Sequence, residues 1–146
     1  MNKKTRKINL INMIVISIIF LFELMPESVK IVFSNGEGKP PRVEFASYLA
    51  DCELLLAGLS ILTLIIAIFT IAIIILNSIV LIEDSVKLTI VSTVLTSICL
   101  LGSVILVALI RKYVTVQNLI IMILFLIIVT LNSVKLHLLS MRVEKN

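Results

Sequence analysis

Leu54–Ile82, LLLAGLSILTLIIAIFTIAIIILNSIVLI, runs for 29 residues without a charge. A helix rises about 1.5 Å per residue, and crossing the hydrocarbon core of a bilayer takes roughly 20 apolar residues. This run exceeds that length, so it either tilts or continues past the membrane through Asn77 and Ser78. Three more charge-free runs flank it: Ile8–Phe22, Leu88–Ile110 and Tyr113–Val134. Charges bound all four, at Lys7 and Glu23, Glu53 and Glu83, Lys87 and Arg111, and Lys112 and Lys135. The first run reaches spanning length if Glu23 sits at headgroup level and the helix continues to Met25. The chain reads as an all-α integral membrane protein, a four-transmembrane-helix bundle. Its spans fall at about 8–25, 54–77, 87–110 and 115–136.

Composition points the same way. The 146 residues are 60% hydrophobic and 15% charged, with a mean hydropathy of +1.19. An ordinary soluble domain carries about 25% charged residues. The runs leave no room for a separate soluble domain, so residues 1–146 form one membrane domain. The net charge of +4 comes from basic residues beside the spans, where anionic headgroups attract them. The expected partner is therefore the lipid bilayer and not nucleic acid. Lys outnumbers Arg nine to four, and with the heavy use of Ile and Asn this suggests an AT-rich, bacterial genome.

Lys3, Lys4, Arg6 and Lys7 precede the first span. Basic flanks stay in the cytoplasm, so this end is cytoplasmic. Four spans return the C-terminus to the same side of the cell membrane. No small-x-small cleavage site follows the first run, which reads as an uncleaved signal anchor. Of the two cysteines, Cys52 lies at the outer start of span two and Cys99 in mid-span three, so no intramolecular disulfide is expected.

Within lipid, helices associate by close packing and interhelical hydrogen bonds, so small and polar residues carry the information. Ser60, Thr63, Ala67 and Thr70 of span two, with Asn77 beyond Ile74, follow helical spacing. So do Thr89, Ser92, Thr96, Cys99 and Ser103 of span three. Each set forms one stripe, and the two predict an antiparallel packing seam. Span one repeats the pattern with Asn9, Asn12, Ile16, Ile19 and Glu23. Span four does so with Asn118, Met122, Phe125, Val129 and Asn132. Glu23 is read as an interfacial anchor. Asp84 or Ser85 suits the N-cap of span three.

Pro26–Ala50 is the longest loop, facing outward. Val29–Phe33 and Arg42–Tyr48 alternate in the manner of strands around the turn-forming segment Ser34–Pro41. The expectation is a small extracellular β-hairpin. An isolated hairpin is marginal in water, so Phe33, Phe45 and Tyr48 are expected to anchor it on the bundle. The same three residues are the candidate partner surface. The lone His137 has no partner by spacing, and no carboxylate cluster resembles a calcium loop. No catalytic residue, metal ligand or cofactor is expected, and the chain is not expected to be an enzyme.

The Leu-Met-Pro26 end of span one, the Val-Lys-Ile-Val-Phe33 strand, the Gly36/Gly38 turn and Ser47-Tyr48 before a long apolar span resemble a group of small four-span membrane proteins of Firmicutes. That group has no established function. The resemblance covers roughly residues 1–80, with Leu49-Ala50-Asp51-Cys52 standing where an aromatic, Asn-containing stretch is expected. It implies a fold and a membrane, and no activity. The leading expectation is an accessory protein binding another membrane component. The alternative is a homo-oligomeric transporter or channel lined by the stripes of spans two and three.

Overall fold

The computed structural model describes residues 3–33, 38, 40, 42–49, 57–83, 85–111 and 114–143. Four helices, α1 (Lys3–Leu24), α2 (Ala57–Ile82), α3 (Val86–Ile110) and α4 (Val116–Val143), enclose a common axis. Each is long and apolar enough to cross a membrane. They pack as a ring, α1 on α2, α2 on α3, α3 on α4, and α4 back on α1. Strands β1 (Val29–Phe33) and β2 (Arg42–Ala46) form an antiparallel sheet between α1 and α2. Val29 pairs with Ala46, and Phe33 with Arg42. This is the four-helix bundle with a small hairpin expected above.

The helix ends follow backbone bonding more closely than they follow charge. α1 begins at Lys3, inside the basic cluster, and stops at Leu24, two residues before Pro26. Proline disfavours a helical conformation at the residue before it, which closes the last turn. α2 continues past Asn77 to Ile82. Ser85 caps α3, its hydroxyl accepting from the Leu88 N–H at 3.5 Å. Thr115 does the same for α4 through Asn118 N at 3.2 Å.

The bundle is apolar outside and carries polar side chains among the apolar ones inside. Leu21, Ile61, Ile75, Leu101, Leu109 and Ile123 are exposed, while Asn12, Glu23, Thr70, Thr96, Asn132 and Lys135 are buried. In water that distribution would forfeit the main driving force of folding, but hydrocarbon solvates the outer Leu and Ile as well as a core would.

Four cross-helix hydrogen bonds set the register. Asn9 Nδ2 donates to the Val80 carbonyl at 3.2 Å, and Lys135 Nζ to Thr89 Oγ1 at 2.8 Å. One turn nearer the hairpin, Asn12 Nδ2 donates to Asn132 Oδ1 at 2.6 Å, and Ser92 Oγ to Asn77 Oδ1 at 3.0 Å. The neighbours are antiparallel, so three steps forward in α1 match three steps back in α2, and the pairs form two stacked levels. Further counting gives a level of Ile16, Ile73, Thr96 and Ile128, and one of Ile19, Thr70, Cys99 and Phe125. The next holds Glu23, Ile66, Ser103 and Ile121, and every one of these twelve residues is buried.

Small residues sit where α2 and α3 come closest. A methyl group on Gly102 would lie 3.2 Å from Ile66 Cγ1 and 3.3 Å from Ile66 Cδ1. Ile66 is itself buried, so its side chain must give way by a few tenths of an ångström even for a methyl group. Gly102→Leu should force the two helices apart, at a cost of about 1–3 kcal/mol for overpacking. Thermal unfolding of the protein in lipid nanodiscs would show it as a lowered midpoint. An unchanged midpoint would mean that the seam accommodates the side chain by sliding.

Candidate functional site

α1 ends a turn short of its neighbours at the hairpin end, and Tyr48 takes the vacant fourth position. The next level holds Thr63, Leu106 and Asn118, all buried, and Tyr48, 1% exposed, stands where a fourth helical residue would be. The Tyr48 hydroxyl donates to Asn118 Oδ1 at 2.9 Å, and its main-chain N–H donates to the Glu23 carbonyl at 2.9 Å. Burial pushes the phenol above its ordinary range. Tyr48 therefore stays protonated and remains a donor to Asn118.

A second clamp lies beside it. The Ser28 hydroxyl sits between the Phe22 and Met25 carbonyls, the latter at 2.8 Å, and shares its one proton between them. Thr115 Oγ1 donates to the Ser28 carbonyl at 2.9 Å while accepting from Asn118 N. The hairpin is thus tied to the C-terminal end of α1 and the N-terminal end of α4, by main-chain groups at both points. Val29 and Ala46, paired across the strands, bury their side chains against the bundle. The other face of β2 carries Val43 and Phe45, 44% and 53% exposed.

The three loop aromatics separate in the structure. Tyr48 is an internal anchor, buried and unavailable to a partner. Phe45 is exposed and anchors nothing. Phe33 lies in β1, but its side chain is outside the described residues. The seam residues Thr63, Ala67, Thr70, Ser92, Thr96, Cys99 and Ser103 are all buried between helices, while the Ser60 side chain and Cys52 lie outside the described residues.

Glu23 departs from the expected interfacial position. Its carboxyl points inwards and is fully buried, 2.8 Å from Thr70 Oγ1 on α2. The reason is its place on the stripe Asn9, Asn12, Ile16, Ile19, Glu23, which faces the axis throughout. Lys135, read as a flanking charge, is also buried, because it continues the stripe of α4 one turn past Asn132. Among the described residues the polar side chains buried in the bundle thus include five asparagines, Asn9, Asn12, Asn77, Asn118 and Asn132, and two ionisable residues, Glu23 and Lys135. In α4 the buried positions between Asn118 and Asn132 are Ile121, Phe125 and Ile128, with Met122 and Val129 only half-buried.

No family model, curated protein or solved structure matches this chain. The site must therefore be read from its own chemistry. Among the described residues, no group of three or more His, Cys, Asp or Glu could hold a metal ion. Five buried side-chain atoms among the described residues have no hydrogen-bond partner. Asn12 Oδ1, Asn77 Nδ2 and Asn132 Nδ2 share one level, and Glu23 Oε2 and Asn118 Nδ2 lie near Tyr48. An unpaired buried polar atom costs about 1–3 kcal/mol, so the two polar groups mark where the bundle departs from pure packing.

Proposed function

We propose that this chain is a multi-pass cell-membrane protein, with both termini in the cytoplasm, that binds another membrane protein through its hairpin. Phe45 carries the reading. It is a large aromatic residue, half exposed beside Val43, on a strand clamped to the bundle at Ser28 and Tyr48. Aromatic side chains on a rigid support are the usual anchors of protein interfaces, because little conformational freedom is lost when they are covered. The proposal assigns no chemical step to the chain, and Phe45 replaces Tyr48 as the residue expected to touch the partner.

A photoreactive phenylalanine at position 45 should crosslink in intact cells to one recurrent membrane protein. The same probe in place of lipid-facing Ile68 should give no such product. Phe45→Ser should reduce co-purification of that protein more than tenfold, as expected of an anchor contributing about 2 kcal/mol or more. Crosslinks to copies of the chain alone would favour the second reading, a small transporter or channel. The buried polar levels at Lys135, at the asparagines and at Glu23 support that reading, with Ile16, Ile73, Ile128 and Phe125 lying between the last two. The stripes of α2 and α3 face the axis of a single bundle, so a transport path would run inside each chain and not between copies.

A further inference from the structure

Thr70 Oγ1 lies 2.8 Å from Glu23 Oε1 and 3.0 Å from the Ile66 carbonyl oxygen. A hydroxyl has one proton, and neither a carbonyl nor a carboxylate supplies another. Most of the other helical hydroxyls bond back to their own helix; Ser92, which donates across to Asn77 Oδ1, is a buried exception among the described residues. Ser17, Ser78, Thr93, Thr96, Ser97, Ser103, Thr130 and Ser133 each donate to the carbonyl four residues back. Ile66 is that carbonyl for Thr70. If Thr70 follows the rule, the proton between Oγ1 and Oε1 belongs to Glu23.

The surroundings agree. Thr70 of α2 bonds to Glu23, and the Cys99 thiol of α3 and the Tyr48 phenol after β2 lie within electrostatic range of it. α4 contributes Ile121 at its level and Asn118 one turn further out. None of these can carry a positive charge. Lys135 is 14 residues along α4 from the Glu23 level, about 21 Å at 1.5 Å per residue. A carboxylate here would be a buried charge with one shared hydroxyl as its donor, a far more costly arrangement than a buried acid.

We propose that Glu23 is a proton-binding site whose carboxyl holds the proton and donates it to Thr70 Oγ1. Taking up the proton converts the carboxylate to the acid. Releasing it turns the Thr70 hydroxyl from Ile66 towards Glu23 and leaves Asn118 Nδ2 as the spare donor of this end. The main-chain carbonyl of Glu23 also accepts from Tyr48 N, so the exchange takes place directly under the seat of the hairpin. The inference is independent of any partner.

The test is infrared spectroscopy of the wild-type chain in bilayers at neutral pH, with the glutamate carboxyls carbon-13 labelled. A protonated-glutamate carbonyl band is expected, shifted by the label and lost in Glu23→Gln. Gln keeps a donor for Thr70, so this variant should fold. Absence of the band from the wild type would overturn the proposal. Dicyclohexylcarbodiimide, which reacts from the apolar phase with protonated carboxyls, assigns the proton in the wild type should the variant not accumulate. A label mapped by mass spectrometry to Glu23 supports the site, and one on another glutamate alone overturns it. An ordinary glutamate would lose labelling roughly eightyfold between about pH 5 and 7, given its usual value near 4.3. Glu23 should change less than twofold.

Discussion

Tyr48→Ala should open the hairpin end of the bundle. Truncating a fully buried aromatic residue to alanine costs about 3–5 kcal/mol, from lost transfer energy and the cavity left behind. Hydrocarbon supplies no hydrophobic drive between helices, yet Tyr48 belongs to the segment linking the hairpin to α2 and not to a spanning helix, so the transfer part of that cost is retained. The change also removes the hydroxyl that donates to Asn118 Oδ1, leaving a second unpaired atom on that residue. The readout is hydrogen exchange at the amide of residue 48, which is bonded to the Glu23 carbonyl. A loss of 3 kcal/mol corresponds to roughly 150-fold faster exchange where local opening governs it. Tyr48→Phe keeps the ring and should cost only about 1 kcal/mol. Unchanged exchange in the alanine variant would show that Ser28 and Thr115 hold the hairpin by themselves.

The second large effect is expected at the Asn12–Asn132 pair, which joins the first helix to the last. Asn12→Leu or Asn132→Leu alone strands the partner amide inside the bundle and should cost about 1–2 kcal/mol, the upper range for such bonds in membranes. Replacing both removes the bond and the stranded group together. The double variant should therefore lose less than the sum of the singles, and approach the wild type if the leucines pack. Reversible unfolding in bilayers of the four forms gives the coupling energy directly. Strict additivity would mean that the two amides are satisfied separately and that their 2.6 Å contact contributes nothing.

Much of the fold is legible before any coordinates are known. Charge-free runs of spanning length, a proline after the first and turn chemistry between two alternating segments place four helices and a hairpin. The polar stripe of α3 matches its buried face, because 3.5-residue steps drift little over five positions. In α4 the buried face steps 3, 4, 3, 4 from Asn118 through Ile121 and Ile128, whereas steps of 4, 3, 4, 3 pick Met122 and Val129, and among uniformly apolar residues nothing marks which order holds. Glu23 and Lys135 were hidden for a different reason. A charge beside an apolar run is ordinarily a headgroup anchor, and only its phase on the stripe shows that it turns inwards. Tyr48 could not be assigned from spacing at all. Its seat exists because α1 ends early, and that vacancy is a property of four chain segments together.

The ring of helices closes between its first and last members, through Asn12 to Asn132 and through Ser28 to Thr115. A ribosome delivers these partners in opposite order of need. Asn12 enters the membrane first and waits for about 120 further residues, more than four-fifths of the chain, before its partner is made. Tyr48 likewise waits for Asn118. Until α4 arrives, the Asn12 amide and the Tyr48 phenol lack these partners. Closure of the ring therefore depends on α4, and the pairs Asn12–Asn132 and Tyr48–Asn118 can form only once it is in place.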